Sequence, residues 1–175
     1  MRWLPLVLVL IAGPAGAAVV DAQPGGFEVE STTAIAAPPG KVYAALIQPG
    51  QWWSSEHTYS GDAHNLTLDL RAGGCWCETL KNGGFAQHMR VVYADPGKAL
   101  RVAGGLGPLQ ALGVVGALTW TIKPAPGGGV TLTQTYVVGG YAPGGLANLA
   151  GPVDGVLSQQ LARLKAYVET GRPAP

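Results

Sequence analysis

The sequence predicts a single α+β domain in which an antiparallel sheet packs against a C-terminal helix. Two patterns predict this arrangement. Short β-like segments are separated by turn residues at regular intervals, as in an antiparallel meander. Between Pro152 and Thr170, apolar residues recur instead at helical spacing. A chain of 175 residues is long enough to bury one core without disulfides or a metal.

The N-terminus is typical of a secretory signal peptide. Arg2 is followed by an apolar run, Trp3–Ile11, and then by the small-residue stretch Ala15–Ala18. The run is shorter than the roughly 20 apolar residues that span a bilayer. We therefore expect residues 1–17 to be removed, with cleavage after Ala22 as the second choice, and the mature protein to be periplasmic or secreted.

The first predicted strand is Phe27–Ile35, where β-branched residues are frequent. Pro38 and Pro39 end it and suit the first turn of a short helix that extends to about Ile47. After a break, Gln51–Trp53 is expected to add one further turn. These elements form the start of the domain.

Six more strands are expected, each followed by a cluster of turn-forming residues. They are Asn65–Leu70, Cys75–Leu80, Phe85–Ala94, Ala99–Ala103, Gly116–Lys123 and Val130–Val138. The helix after them carries a broad apolar stripe and should lie flat on the sheet. Pro152 is expected to start this helix and Gly171 to end it.

The Asn82-Gly83 pair is the strongest hairpin signal, because both residues accept the positive φ of a tight turn. Taking these two residues as the turn predicts that Glu78 pairs with Gln87 and Trp76 with Met89. The predicted core face is Trp76, Glu78, Leu80, Phe85, Gln87, Met89, Val91 and Tyr93. The predicted outer face is Cys75, Cys77, Thr79, Ala86, His88 and Arg90.

The last two strands alternate in the same way. Trp120, Gln134 and Tyr136 fall on their apolar faces, and threonines alternate with them on the opposite faces. Three polar side chains, Glu78, Gln87 and Gln134, are thus expected to point inward. An unsatisfied buried polar group costs about 1–3 kcal/mol, so these groups satisfy one another, bind water or contact a ligand.

Several segments in a fixed order resemble a known family. Residues 37–46 (APPGKVYAAL) are followed by Trp52-Trp53, and the turn at 71–74 (RAGG) precedes 91–101 (VVYADPGKALR). This order resembles the START-like (SRPBCC) superfamily. Within it, the chain is most similar to the branch named for homology to the activator of the heat-shock-protein-90 ATPase, also described as polyketide-cyclase-like.

The resemblance implies the helix-grip fold over residues 27–170. In that fold a curved seven-stranded antiparallel sheet wraps around a long C-terminal helix, and an elongated apolar cavity lies between them. Two departures stand out: Tyr43 replaces a usual Trp, and Leu106–Val115 is a longer apolar loop that we expect to act as a lid. A chaperone role is not expected, because an exported protein does not meet the cytosolic chaperone and because a shared fold does not imply a shared function.

Glu78 and His57 are the candidate catalytic residues. Burial of Glu78 should raise its pKa, which suits an acid–base role or a ligand anchor; the alternative is a structural carboxylate bonded to Gln87 or to backbone. Histidine is a common general acid or base, which makes His57 a candidate at the cavity mouth, and the alternative for it is a solvated loop position. The predicted ligand-binding residues are Trp52, Trp53, Trp76, Glu78, Gln87, Met89, Trp120, Gln134, Tyr136 and Leu161.

Cys75 and Cys77 lie two residues apart on one strand, at the edge of disulfide reach. A disulfide, two free thiols, or a metal site completed by His88 are the alternatives. A closed zinc site needs four protein ligands and three are apparent. We therefore expect no metal, and the sequence suggests no other cofactor.

The charge pattern disfavours polyanionic partners. The 11 basic and 10 acidic residues are scattered, whereas nucleic-acid and anionic-membrane surfaces need clustered Lys and Arg. No segment of the mature chain is apolar enough to be a transmembrane span. The leading hypothesis is an exported protein that binds a small hydrophobic ligand or lipid. The alternatives are an enzyme of cyclase, dehydratase or hydrolase type using Glu78 and His57, and a module that binds another exported protein.

Overall fold

A computed structural model describes residues 16–175, so residues 1–15 of the expected signal peptide lie outside the described part. Eight antiparallel strands form one sheet in the order β1-β2-β8-β7-β6-β5-β4-β3. The strands are β1 Gly16–Gln23, β2 Gly26–Ile35, β3 Leu66–Leu68, β4 Cys75–Thr79, β5 Phe85–Asp95, β6 Ala99–Gly104, β7 Gly113–Pro124 and β8 Val130–Tyr141. The helices are α1 Pro39–Leu46 and α2 Ala150–Thr170, and short 3₁₀ turns connect several elements.

The α+β class and the helix-grip arrangement are confirmed, with one more strand than expected. β1 pairs antiparallel with β2 and forms one edge of the sheet. Strand β1 was not predicted, because it follows the apolar N-terminal run and its pairing with β2 is not visible in local periodicity. Of the helices that the structure describes, none has the length and apolar character needed to cross a bilayer.

Helix α2 supplies the other layer of the core. Leu157, Leu161 and Leu164 are buried on its sheet-facing side, as their spacing predicts. The helix packs on β2 and β1, and it ends at Gly171, whose φ of 80° is the left-handed conformation that glycine accepts most readily. The strand faces of β7 and β8 are also as predicted, with Trp120, Gln134 and Tyr136 buried.

The β4–β5 hairpin departs from the predicted register. Asn82 and Gly83 do adopt positive φ, but the turn is one residue longer, so Glu78 pairs with Ala86 and Cys77 with Gln87. A β-bulge at His88 then restores the predicted pairing of Trp76 with Met89. Because a one-residue slip reverses the faces of a strand, the prediction is wrong between the turn and the bulge.

The consequence is an exchange of side chains between the two faces of β5. Ala86 and His88 are buried, whereas Phe85 and Gln87, both predicted to be inward, are exposed. A second irregularity against β6, between Val91 and Tyr93, leaves Tyr93 exposed as well. His88 and Met89 are therefore adjacent residues that both point into the core.

Candidate functional site

The site is a cavity of about 350 Å³ between the sheet and the beginning of α2, within the size range of small-molecule pockets. Its wall is mainly apolar and aromatic and comes from five parts of the chain: the loop after α1, strands β3 to β5, the β6–β7 loop, β8 and the start of α2. The lining residues are Trp53, Glu56, His57, Thr58, Tyr59, Leu66, Trp76, His88, Leu106, Gly107, Pro108, Leu109, Tyr136, Leu149, Pro152, Val153, Val156 and Leu157.

The β6–β7 loop closes one side of this cavity. Leu106–Leu109 line it, as expected of a lid, whereas residues from Gly113 onward belong to strand β7. The Tyr136 hydroxyl donates to the carbonyl of Gly104 at 3.2 Å and accepts from the backbone N–H of Leu106 at 3.2 Å. Tyr136 thereby ties the loop to the sheet, and its burial raises the pKa of the hydroxyl to about 12.

Gly116 makes room for the Tyr136 ring. A Cβ built at this position would lie 2.4 Å from a ring carbon of Tyr136, closer than side-chain atoms approach one another. The cavity wall at Tyr136 therefore depends on a glycine on the neighbouring strand.

Glu78 lies behind the cavity wall and is fully buried. Its carboxylate accepts hydrogen bonds from the backbone N–H groups of Tyr59, at 3.1 Å, and Ser60, and from His88 Nε2 at 3.0 Å. Burial alone would raise the pKa of this carboxyl, but the hydrogen bonds from Ser60, Tyr59 and His88 outweigh burial and lower it. The predicted upward shift is wrong because the loop after α1 supplies donors that strand periodicity does not reveal.

His88 is the residue that joins Glu78 to the cavity. A carboxylate offers only acceptors, so His88 Nε2 carries the hydrogen of this bond, which leaves Nδ1 as the second nitrogen. His88 Nδ1 is buried and has no hydrogen-bond partner, and the same is true of Trp76 Nε1. The Tyr59 ring stacks on the imidazole, with centroids 5.7 Å apart and planes within 6°.

Helix α2 holds the loop that carries Trp53 and Tyr59. The buried Gln160 side chain accepts from the backbone N–H of Ser54 at 2.8 Å. Arg163 Nε donates to the carbonyl of Trp52 at 3.0 Å, and His57 Nε2 lies 2.9 Å from Gln159 Oε1. The loop is thus attached to α2 on one side and to Glu78 on the other.

The structure brings some predicted site residues to the cavity and not others. Trp53, Trp76, Tyr136 and His57 line it. Trp52, Met89, Trp120, Gln134 and Leu161 are buried but lie outside its lining, as does Glu78. Gln87 is exposed on the outer face of β5, because of the longer hairpin turn.

Three of the buried residues outside the lining, Gln134, Trp120 and Trp52, have hydrogen-bond partners within the protein. Gln134 accepts from Trp120 Nε1 at 2.8 Å and donates to the carbonyl of Leu157 at 3.0 Å. Trp52 Nε1 donates to the carbonyl of Ala45 at 3.0 Å. The bonds of Gln134 join the sheet to α2, the bond of Trp52 joins the segment after α1 to that helix, and these polar atoms are satisfied without a ligand.

His88 is the main site residue that sequence reasoning placed on the wrong face. Tyr59, Val153 and Val156 were not identified as cavity residues. The periodicity of α2 indicated that the two valines face the sheet, and this could have identified them as cavity residues. No local signal marks the longer turn that places His88 on the inner face, or the bulge that ends the shifted register.

Cys75 and Cys77 are joined by a disulfide, with Cα atoms 5.3 Å apart. The metal alternative that includes His88 is wrong, because the thiols are paired and His88 points to the opposite face of the sheet. In the part of the chain that the structure describes, no cluster of three or more His, Cys, Asp or Glu residues is arranged to hold a metal ion.

Comparison with known proteins supports the family resemblance. Residues 26–169 match the family model described as polyketide cyclase / dehydrase and lipid transport. No protein with a curated description matches the sequence.

Solved structures with the same fold include a conserved protein of unknown function, EF2215, from Enterococcus faecalis, which is 18% identical with a TM-score of 0.61 over 93% of this chain and 81% of that one. CalU16 from Micromonospora echinospora is 13% identical with a TM-score of 0.57, and the match covers 93% of this chain and 88% of CalU16. The di-domain ARO/CYC BexL from the BE-7585A biosynthetic pathway is 19% identical with a TM-score of 0.57, over 87% of this chain and 52% of that one.

Proposed function

From the membership of this chain in the family described as polyketide cyclase / dehydrase and lipid transport, within the SRPBCC superfamily, we propose a binding function. The protein binds one small, mainly apolar organic molecule in the cavity between the sheet and α2. The observation that carries this proposal is the cavity itself, about 350 Å³ in volume with a largely aromatic and aliphatic wall. The narrower resemblance to the branch of the heat-shock-protein-90 ATPase activator stays a prediction.

The cavity suits a compact ligand better than a two-chain lipid. Its volume lies near the lower end of the range for small-molecule sites. Trp53, Trp76 and Tyr136 supply flat apolar surfaces, and aromatic rings stack favourably on such side chains. Apolar burial provides the affinity, at about 25 cal/mol for each Å² removed from water.

A cavity-filling variant tests this proposal. Val156→Trp places an indole in the cavity from α2, whereas Ala162→Trp adds the same side chain at an exposed position of the same helix. The uncharged dye N-phenyl-1-naphthylamine should bind the wild type and the Ala162→Trp control, with a change in intrinsic tryptophan fluorescence. Val156→Trp should lose binding while keeping its melting transition. Equal binding by all three proteins contradicts the proposed cavity.

We also propose that the protein acts outside the cytoplasm. The N-terminal pattern and the Cys75–Cys77 disulfide support export, since disulfides persist in oxidising compartments. Cleavage after Ala17 would leave most of β1 paired with β2, whereas cleavage after Ala22 would leave only Gln23 of that strand. N-terminal sequencing of protein from the envelope fraction should therefore begin at or near Ala18. An intact Met1 in a soluble cytoplasmic pool contradicts export.

Enzyme activity is the second candidate function. The hydrogen-bonded pair of His88 and Glu78 is the better candidate for acid–base chemistry than the predicted pair of Glu78 and His57. A carboxylate that orients an imidazole is a common way to prepare a general base. In an enolisation, His88 Nδ1 would take a proton from a carbon next to a carbonyl, and the electron pair would move to the carbonyl oxygen. Returning a proton to that carbon would complete an exchange cycle.

Hydrogen–deuterium exchange tests this activity without knowledge of the substrate. The protein should accelerate exchange of the α-hydrogens of 2-tetralone in D2O, measured by proton NMR against buffer alone. His88→Phe should abolish the acceleration, and His57→Phe should keep it. The absence of acceleration in a wild-type protein that binds 2-tetralone contradicts this second candidate.

A further inference from the structure

We propose that His88 and Trp76 form a polar subsite in the cavity wall that takes a neutral hydroxyl group, and that the ligand is a hydroxylated aromatic compound. This inference rests on the proposed function, because it specifies which molecule the cavity binds. It depends on two buried polar atoms, His88 Nδ1 and Trp76 Nε1, that have no partner in the protein.

The two atoms have complementary hydrogen-bonding capacity. Glu78 holds the hydrogen on His88 Nε2, so in the neutral imidazole Nδ1 presents a lone pair and accepts. Trp76 Nε1–H only donates. A hydroxyl group both donates and accepts, so its hydrogen-bonding capacity matches both atoms, whose side chains both line the cavity. A ketone, ether or ester oxygen can satisfy only the indole.

The burial of these side chains argues against an incidental arrangement. Only 5% of His88 and 2% of Trp76 is exposed, and both residues line the cavity. Buried polar atoms without partners are uncommon in native proteins and cost about 1–3 kcal/mol each. A ligand hydroxyl that pairs with them removes this cost, which a purely apolar ligand cannot do.

The charges around the cavity disfavour an anionic ligand group at His88 Nδ1. In the part of the chain that the structure describes, no Lys or Arg lines the cavity. The ionised Glu78 lies directly behind His88, at 3.0 Å from its Nε2. A carboxylate or phosphate placed against Nδ1 would meet a lone pair and a nearby negative charge in an apolar environment, which is costly. The site therefore favours a phenol or enol over a fatty acid or a phospholipid headgroup.

The rings around the subsite favour an aromatic ligand. Trp53 and Trp76 are in edge-to-face contact with centroids 5.2 Å apart, and both line the cavity. Tyr59, which covers His88, is half exposed, so the ring over the imidazole is at the boundary between cavity and solvent. A planar hydroxylated ring would contact these faces while its hydroxyl reaches His88 and Trp76.

Three probes of nearly equal size test the inference: naphthalene, 2-naphthol and 2-naphthoate. Their affinities are measured by displacement of N-phenyl-1-naphthylamine. In the wild type, 2-naphthol should bind about tenfold more tightly than naphthalene, as two net hydrogen bonds allow, and 2-naphthoate should bind more weakly than either. In His88→Phe, the preference for 2-naphthol should disappear, with naphthalene affinity changed by less than about threefold. Trp76→Phe should reduce the preference, and the control His64→Phe, at an exposed histidine outside the cavity lining, should keep it.

A measurement on the unmodified protein covers the case in which His88→Phe fails to fold. In nitrogen-15 NMR spectra of the histidine rings, 2-naphthol should shift the His88 Nδ1 resonance, and naphthalene should not. Failure of all three probes to bind contradicts the proposed function as well as the subsite. Three other outcomes overturn the subsite and leave the proposed apolar cavity in place. They are equal binding of naphthalene and 2-naphthol, tighter binding of 2-naphthoate than of 2-naphthol, and a preference for 2-naphthol that persists in His88→Phe.

Discussion

The substitution Glu78→Gln isolates the charge of the buried carboxylate while nearly preserving its shape. Oε2 of Glu78 accepts from Tyr59 N–H and His88 Nε2–H, and Oε1 accepts from Ser60 N–H. A glutamine has one oxygen and one amino group, so it cannot accept at both positions. If its oxygen replaces Oε2, the amino group opposes Ser60 N–H; if it replaces Oε1, the amino group opposes Tyr59 N–H.

The expected loss follows from this geometry. In either orientation one partly buried backbone N–H loses its acceptor, which costs about 1–3 kcal/mol. The remaining bonds change from charge-assisted to neutral, at about 1 kcal/mol each. Relief from burying a charge offsets part of this cost. We expect the free energy of unfolding at pH 7 to fall by about 2–4 kcal/mol.

Urea denaturation followed by tryptophan fluorescence measures this loss, and its pH dependence provides the more specific test. The folded pKa of Glu78 lies below its ordinary value of 4.5. The carboxylate therefore contributes stability that is fully present above pH 4.5 and is lost as the pH falls through the lower folded pKa. The difference between wild type and Glu78→Gln should thus narrow in acid.

Glu56→Gln is the matched control, since Glu56 also lines the cavity but is exposed. The control should change the free energy of unfolding by less than about 0.5 kcal/mol. A loss below about 1 kcal/mol in Glu78→Gln, or a difference that stays constant from neutral to acidic pH, would refute the argument that three hydrogen bonds hold an ionised carboxylate.

Three further substitutions test the packing around the site. Leu161→Ala should cost about 2–5 kcal/mol of stability and leave dye affinity unchanged, because Leu161 is buried in the core and does not line the cavity; a loss below about 1 kcal/mol would contradict this. Gly116→Ala should lower the stability by about 1–3 kcal/mol, measured by thermal unfolding, and weaken dye binding, because the new Cβ would lie 2.4 Å from the Tyr136 ring. Unchanged dye affinity would show that the ring moves freely. Replacing Cys75 and Cys77 by Ser should cost about 1.5 kcal/mol, since the disulfide closes a loop of only three residues, and a loss above about 3 kcal/mol would mean that it also holds the adjacent bulge in place.

Local periodicity was sufficient for most of the fold. The strands from β2 to β8 and helix α2 follow from alternation, turn residues and helical spacing, which are properties of neighbouring residues. The same alternation correctly placed Trp76, Trp120 and Tyr136 on the inner face of the sheet. The apolar character of the Leu106–Leu109 segment also predicted its place at the cavity.

Long-range pairing accounts for what periodicity missed. Strand β1 is recognisable only through its pairing with β2, and the partner of Gln134 is a carbonyl on α2, 23 residues away. Two of the three donors that lower the pKa of Glu78, the backbone N–H groups of Ser60 and Tyr59, come from a loop 18 and 19 residues earlier in the chain.

The sequence by itself determined that this protein has a sheet with an aromatic inner face, a covering helix and an inward Glu78, because each depends on a repeat of two or about four residues. Only the tertiary structure decided that His88 lies inside, that Glu78 is ionised behind it, and that Trp120 and Gln134 satisfy each other. The physical reason is that a single extra residue in the β4–β5 hairpin reverses the faces of a strand until a bulge restores them. Whether such a bulge forms depends on packing across the whole sheet, and no window of neighbouring residues contains that information.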